Sequence, residues 1–230
     1  MVYFPVVGII IGVIMAGLSW LLGLILPSAL VNVLVVVYLA VISGALHLDG
    51  FVDTCDGIAG HKTVEDRWLV MHDSRAGGFG IAGVCLLLLL KYISLNSVPG
   101  QLLTVTLIVV PVISRWAMVY ALFAYPYARP SGLGKVLKQE TNWKKFGLAT
   151  VITLAVVMGL TQWSNIAYSY LSVLAVIGGT WIIIMALAAY LKRKFAGLTG
   201  DTYGAINEVA EVSVFILVSL LAHNQWLGLA

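Results

Sequence analysis

The stretch that decides the fold class stands at the start of the chain, where residues 3–25 read YFPVVGIIIGVIMAGLSWLLGLI without a single charge. A transmembrane helix needs about 20 predominantly apolar residues, and this run is long enough. The composition agrees, because 61% of the 230 residues are hydrophobic and only 10% are charged, whereas a soluble domain usually carries about 25% charged residues. Lipid is therefore expected to solvate most of this protein.

Similar apolar runs recur along the whole sequence. We count seven: Tyr3–Ile25, Ala29–Leu46, Phe79–Leu95, Leu102–Ala124, Phe146–Thr161, Ala167–Leu191 and Ala205–His223. Backbone polar groups cannot stay unpaired in lipid, so long continuous apolar runs predict helices rather than barrel strands. We therefore predict an all-α, polytopic integral membrane bundle of about seven transmembrane helices, formed by a single membrane-embedded domain over residues 1–230. The first run lacks the features of a cleaved signal peptide and is expected to be retained.

Basic residues predict the orientation of this bundle. They gather in three alternate connections, which carry Lys62, Arg67 and Arg75; Arg129, Lys135, Lys138, Lys144 and Lys145; and Lys192, Arg193 and Lys194. Such a bias marks the cytoplasmic side, so we expect a cytoplasmic N-terminus in the cell (inner) membrane. Nearly all acidic residues are assigned to the same face, including Glu208 and Glu211. No basic stripe interleaved with aromatic residues suggests a nucleic-acid partner.

The segment most suited to chemistry is HLDGFVDTCDG, His47–Gly57. If the second helix continues past Leu46, the i, i+4, i+7 spacing places Asp49, Asp53 and Asp56 on one helical face. Crowded carboxylates repel one another unless a cation lies among them, and Mg²⁺ prefers oxygen ligands. The alternative is a solvated acidic helix end without an ion. His47 could accept a proton, bind the metal, or merely orient a neighbour.

A second polar segment, MHDSRAGGFG, opens the third span at residues 71–80. Asp73 could add a fourth carboxylate to the metal site, and Ser74 could cap the helix that follows. Arg75 offers a fork of donors for phosphate. Gly77 and Gly78 lie at the helix start, where free N–H groups favour an anion. The alternative is a Gly-rich cap beside a surface arginine.

Two later arginines and a lysine are candidate substrate contacts. Arg115 lies inside an apolar span, where an unpaired cation is costly, so we expect a carboxylate or phosphate partner rather than snorkelling. Arg129 and Lys135 could hold phosphate or could simply be cytoplasmic positive charges.

The last polar segment holds three more candidates, Asp201, Asn207 and Glu208. They would present oxygen ligands to the bundle interior, although helix capping explains Asp201 equally well. Glu208 and Glu211 are three residues apart and should face the same neighbour.

These segments closely resemble the cobalamin synthase family, also called adenosylcobinamide-GDP ribazoletransferases. The matching blocks are HLDGFVDTCDG at 47–57, DSRAGGFG at 73–80, PYARPSGLG at 126–134 and TGDTYGAINEVAE at 199–211. The chain departs from the family pattern at Phe51, Val52 and His72, and it starts almost inside its first span.

The resemblance implies an enzyme that joins adenosylcobinamide-GDP to α-ribazole, or to its 5′-phosphate, and releases GMP. It implies Mg²⁺ held by Asp49, Asp53, Asp56 and Asp73. Catalytic roles are expected for His47 and Arg75 beside the three aspartates of the first block. Substrate contacts are expected from Ser74, Gly77, Gly78, Arg115, Arg129, Lys135, Asp201, Asn207 and Glu208. The partners would be these substrates and the lipid bilayer, and a homo-oligomer is compatible with the sequence.

Two other classes of protein are compatible with part of the pattern. A CDP-alcohol phosphotransferase-like enzyme also has an Asp-rich metal site, but it predicts an Ala-Arg pair after the first Asp-Gly and a longer spacing to the last aspartates. A cation or cobalt transporter would place ionisable residues at mid-membrane depth on several helices.

Overall fold

The computed structural model is a bundle of helices, described for residues 1–59, 63–73, 75–163 and 170–224. Within those ranges the chain forms ten helices and no β-strand. They are α1 (Phe4–Gly23), α2 (Ser28–Ile42), α3 (Leu46–Ile58), α4 (Val64–Val70), α5 (Gly78–Asn96), α6 (Gly100–Ala124), α7 (Leu133–Gln139), α8 (Trp143–Trp163), α9 (Tyr170–Phe195) and α10 (Gly200–His223). The predicted all-α class is confirmed.

Six of these helices are long and apolar enough to cross a membrane, namely α1, α5, α6, α8, α9 and α10. The bent pair of α2 and α3 would make a seventh span. The expected number of about seven is therefore confirmed, and the apolar helices are those of a multi-pass membrane protein. Residues 164–169, where the sixth predicted span begins, lie outside the described ranges.

The second predicted span does not continue past Leu46 as a straight helix. It stops at Ile42, and the chain turns through 85° before α3 begins. Gly44 and Ala45 adopt positive φ angles of 61° and 59° in the turn. A left-handed residue ends a helix because its carbonyl leaves the helical direction. The acidic spacing survives the break, since Asp49, Asp53 and Asp56 all lie within α3.

The helix α6 occupies the centre of the bundle, with α1 and α10 packed along it. Glycines allow α1 to approach closely: an added Cβ at Gly8 would lie 2.5 Å from the carbonyl oxygen of Pro111, and one at Gly12 would lie 2.6 Å from the Cα of Ile108. Small residues at helix crossings bring backbones together in membranes. This packing fixes α6, which in turn supports α10.

The loop after α6 is tied to the start of α10. The backbone N–H of Ala128 donates to the carbonyl oxygen of Leu198 at 2.8 Å, and the N–H of Leu198 donates to the carbonyl of Pro126 at 2.8 Å. Thr199 and Thr202 then close a capping box that begins α10 five residues before the predicted start. As a result, two segments that matched separate sequence blocks lie side by side.

Candidate active site

The site is built where α3 crosses the first turns of α10. An added Cβ at Gly50 would lie 2.9 Å from the Cα of Asp201, and one at Gly204 would lie 3.1 Å from the Cα of His47. Only residues without a side chain permit backbones to approach this closely. The contact brings Asp201, from the last sequence block, next to the acidic helix of the first block.

The electrostatic neighbours of Asp53 show that these carboxylates are crowded. Asp53 is half-buried, and the negative charges that act on it are those of Asp49, Asp201 and Asp56. Repulsion among like charges disfavours the ionised form of an acid. A cation placed among these groups would relieve that repulsion, which is the behaviour expected of a metal or phosphate-metal site.

A cavity of about 360 Å³ opens beside this helix crossing. Its polar lining includes His47, Asp49, Arg129 and Asp201, so the structure brings four of the predicted site residues to one place. Arg129 forms an ion pair of 2.9 Å with Asp201. Its Nε atom is buried and donates to no acceptor among the described residues. The guanidinium therefore retains donor capacity for an anion.

His47 lies in the first turn of α3 and lines the cavity together with Asp49. A neutral imidazole has one nitrogen that donates a hydrogen bond and one that accepts. A ring in this position fits the predicted alternatives of proton acceptor and metal ligand, and it also fits a hydrogen-bonded orienter.

Asp56 has partners of its own at the start of α5. Its two carboxylate oxygens accept hydrogen bonds from the backbone N–H groups of Gly77 at 2.7 Å and Gly80 at 2.8 Å. These N–H groups belong to the start of α5, the position where the sequence predicts a bound anion. The protein's own carboxylate is that anion. Gly78 is the first residue of α5, and a Cβ added there would have no atom within 4 Å.

Asp73 and Arg75 form an exposed pair with each other. The Nε and Nη2 atoms of Arg75 donate to the Asp73 carboxylate at 3.0 and 2.7 Å. These bonds lower the pKa of Asp73 to about 2. Both residues line a separate, shallow hollow of about 440 Å³ that Asp56 and Gly77 also border. Ser74 lies outside the described residues.

The remaining predicted contacts lie elsewhere. Lys135 donates from Nζ to the carbonyl oxygen of Pro130 at 2.6 Å, which fastens its own loop. Arg115 pairs with Glu211 inside the bundle, as the expectation of a carboxylate partner required. Asn207 donates to the same carboxylate at 3.0 Å. Arg115 is thus not free to snorkel toward the membrane surface.

Lys91 completes this buried cluster, and no sequence pattern predicts that it does. Its Nζ atom donates to Glu208 and Glu211 at 2.6 Å each, and the lysine side chain is 2% exposed. Glu208 and Glu211 do face one neighbour, as their spacing predicts. Both lie in the bundle interior, 2% and 1% exposed, as the expectation that they present oxygen atoms to that interior requires. Their grouping with the acidic residues of the charged face is therefore wrong.

A magnesium site would have to be completed by the substrate. Among the described residues, no group of three or more His, Cys, Asp or Glu side chains is arranged to hold a metal. Mg²⁺ is commonly bound by one or two carboxylates together with substrate phosphates. Asp49 and Asp53 fit that mode, because they are crowded by like charge. Within the part of the chain that the structure describes, neither has hydrogen-bond partners like those of Asp56 and Asp73.

The chain matches the family model described as cobalamin-5-phosphate synthase over residues 1–219. The chain belongs to this family. Curated relatives named adenosylcobinamide-GDP ribazoletransferase include one from Desulforamulus reducens, 35% identical over 95% of this chain and 84% of the relative. Another, from Roseiflexus sp., is 34% identical over 96% of this chain and 79% of the relative. A third, from Geotalea daltonii, is 34% identical over 96% and 85%. No solved structure matches the chain.

Membership of the cobalamin-5-phosphate synthase family confirms the resemblance found in the four sequence blocks. The geometry adds that the first, third and fourth blocks meet at the 360 Å³ cavity, through His47 and Asp49, Arg129, and Asp201. The second block meets the first through Asp56. Two members of the cavity wall, Tyr127 and Tyr203, lie within the matching blocks but carry no predicted role. Each tyrosine lies two residues from a predicted substrate contact, Tyr127 from Arg129 and Tyr203 from Asp201. That proximity in sequence is the feature by which they could have been predicted.

Proposed function

We propose that this protein is an adenosylcobinamide-GDP ribazoletransferase that joins adenosylcobinamide-GDP to α-ribazole, or to its 5′-phosphate, and releases GMP. The observation that carries the proposal is the meeting of Asp49, Arg129 and Asp201 around one cavity, with Asp53 crowded among the acidic groups. The Arg129 guanidinium has an unused donor and lies near crowded carboxylates. This combination suits a substrate that brings both phosphate and a divalent cation. Family membership supports the same reaction.

In the proposed reaction, a ribose hydroxyl oxygen of the ribazole bonds to the phosphorus nearer cobinamide. The bond from that phosphorus to the oxygen of GMP breaks, and GMP leaves with the electron pair. The hydroxyl proton passes to His47 or to a carboxylate of α3. Arg129 binds a non-bridging phosphate oxygen, and Asp201 holds Arg129 in place through their 2.9 Å ion pair.

Mg²⁺ is the proposed cofactor, with Asp49 and Asp53 as its protein ligands. When bound it would neutralise the pyrophosphate and stabilise the departing GMP. The two carboxylates lie on one face of α3, four residues apart, so both can reach one bound cation. The family resemblance also predicts Asp56 and Asp73 as ligands of Mg²⁺. Each of them already accepts hydrogen bonds, Asp56 from Gly77 and Asp73 from Arg75.

We also propose that this site faces the cytoplasm. The three basic connections lie on one side of the membrane if the spans alternate, and positive charge favours the cytoplasmic side. Adenosylcobinamide-GDP is large and phosphorylated, and the ribose of the acceptor is polar, so both substrates would reach a membrane-surface cavity from water.

The deciding experiment follows GMP release by purified protein in nanodiscs. Adenosylcobinamide-GDP is supplied with α-ribazole, with its 5′-phosphate or with neither, each with and without Mg²⁺. GMP release that requires both an acceptor and Mg²⁺ is the expected result. Absence of acceptor-dependent GMP release with any divalent cation would overturn the proposal. In liposomes, binding of GDP-cobinamide without cation flux would exclude the transporter alternative.

A further inference from the structure

The cavity beside α3 has an apolar half that the proposed phosphate chemistry does not use. Met118 and Leu122 of α6 and Leu137 of α7 line this apolar part, and the same cavity is also lined by the polar residues His47, Asp49, Arg129 and Asp201. Pockets for small molecules are typically about 300–1,000 Å³ with a mainly apolar lining. The 360 Å³ volume lies at the small end of that range.

The aromatic wall carries a buried hydroxyl without a partner. Tyr203 is 3% exposed, and its Oη atom makes no hydrogen bond among the described residues. Its ring lies parallel to that of Tyr127, with centroids 6.4 Å apart and an interplanar angle of 14°. Buried polar atoms are almost always paired. Tyr203 also lines the cavity, so its unpaired hydroxyl points to a ligand that brings an acceptor.

We infer that this cavity receives the base of the acceptor nucleoside, and that Tyr203 donates its hydroxyl hydrogen to the free ring nitrogen of that base. The inference rests on the proposed function and specifies which substrate fills the cavity. α-Ribazole carries a methylated benzimidazole, a flat ring with an apolar edge and one unsubstituted nitrogen lone pair. Met118 and Leu122 suit the apolar edge, since a thioether and an aliphatic chain pack closely against aromatic rings.

The other substrate fits the cavity poorly. A corrin ring with its amide side chains is far larger than 360 Å³. Guanine is small enough, but its edge presents several donors and acceptors that the Met118, Leu122 and Leu137 side chains cannot satisfy. Burying such groups without partners is costly. The benzimidazole base leaves one polar atom to satisfy, and Tyr203 supplies one hydroxyl.

Binding of the base in this cavity also predicts where the ribose lies. With the base against Tyr203, the sugar extends toward Asp49 and Arg129, which line the same cavity. The hydroxyl that attacks phosphorus would then lie at the polar mouth, between the groups proposed to bind the pyrophosphate. Tyr203 is thus a specificity-determining residue for the acceptor, while the phosphate donor binds outside the apolar half.

The test measures initial rates of GMP release with each substrate varied in turn. Tyr203→Phe removes the unpaired hydroxyl and should raise the KM for α-ribazole about tenfold, as loss of one hydrogen bond does. The KM for adenosylcobinamide-GDP should not change. Met118→Trp, which fills the apolar half, should raise the KM for α-ribazole further. Tyr125→Phe is the matched control, because its hydroxyl already donates to the carbonyl of Met185 at 3.1 Å outside the cavity.

A second readout separates binding from folding. Tyr203→Phe should leave the melting temperature unchanged or raise it, since it removes a buried hydroxyl without a partner. A riboside of unmethylated benzimidazole should bind wild type about fourfold more weakly for each missing methyl group. An increased KM for adenosylcobinamide-GDP, or an unchanged KM for α-ribazole in both variants, would overturn the inference. Wild type without acceptor-dependent GMP release would instead overturn the proposed function.

Discussion

The carboxylate of Asp56 accepts a 2.7 Å hydrogen bond from the backbone N–H of Gly77, 21 residues further along the chain. Its second oxygen accepts from the N–H of Gly80 at 2.8 Å. The free N–H groups of a helix start attract an anion, and here an aspartate of α3 fills that position. The bond couples the acidic helix to the first turn of α5 and so fixes one end of the site.

This coupling predicts different costs for two neighbouring glycines. An added Cβ at Gly80 would press on the Asp56 carboxylate and on Val52, whereas one at Gly78 meets nothing within 4 Å. Gly80→Ala should therefore lower the free energy of unfolding by about 1–3 kcal/mol. Gly78→Ala should be neutral or slightly stabilising, because alanine favours the helix. Thermal melting in detergent measures both, and equal melting temperatures for the two variants would contradict the proposed packing.

The buried cluster around Lys91 predicts a large and partly reversible loss of stability. Lys91→Met leaves Glu208 and Glu211 without their shared cation, and breaking a buried ion pair costs about 3–5 kcal/mol. Combining Lys91→Met with Glu208→Met leaves the Arg115–Glu211 pair balanced. The double variant should therefore be more stable than the sum of the single changes predicts. Unfolding titrations of all four proteins measure this coupling, and strictly additive losses would show that the cluster contributes no pairwise energy.

Local sequence was sufficient for the membrane helices but not for this cluster. Long uncharged runs such as residues 3–25 predict a span wherever they occur, because lipid excludes unpaired backbone groups. Lys91 lies near the end of such a run and resembles a residue at a span boundary. Its partners are 117 and 120 residues away. Only the packing of α5 against α10 reveals that it is buried.

Local sequence likewise predicts some features of the candidate site, whereas others depend on contacts between distant helices. The spacing of Asp49 and Asp53 predicts two carboxylates on one helical face, and α3 provides that face. The spacing also includes Asp56, which instead accepts hydrogen bonds from the start of α5. The approach of Asp201 depends on the close contact of Gly50 with α10. No local pattern specifies which distant helix a glycine will contact. The sequence therefore predicts Asp201 as a site residue but not its position beside α3.

The proposed metal ligands lead to a prediction that distinguishes two aspartates. Asp53→Asn removes a carboxylate from the crowded group beside Asp49 and Asp201. It should reduce Mg²⁺-dependent GMP release by about 10–100-fold or more, a loss typical of damaged metal sites. Asp73 is exposed, forms an ion pair with Arg75 and lines the separate hollow. Asp73→Asn should therefore reduce the rate of GMP release far less. Titrating Mg²⁺ in both variants gives the comparison, and normal Mg²⁺-dependent activity of Asp53→Asn would refute the assignment.

The contact between α3 and α10 should control activity more strongly than stability. A methyl group at Gly50 would lie 2.7 Å from the carbonyl oxygen of Asp201, so Gly50→Ala must push the two backbones apart. Because positioning errors of about 1 Å can cost 100-fold in rate, we expect a loss of that order in GMP release. Gly178→Ala is the matched control, since its added methyl meets nothing within 4 Å in α9. Both variants should remain folded in nanodiscs, and only Gly50→Ala should lose activity. If Gly50→Ala retained the wild-type rate, the separation of Asp201 from the acidic helix would not matter for the reaction, and the role of Asp201 would be limited to its ion pair with Arg129.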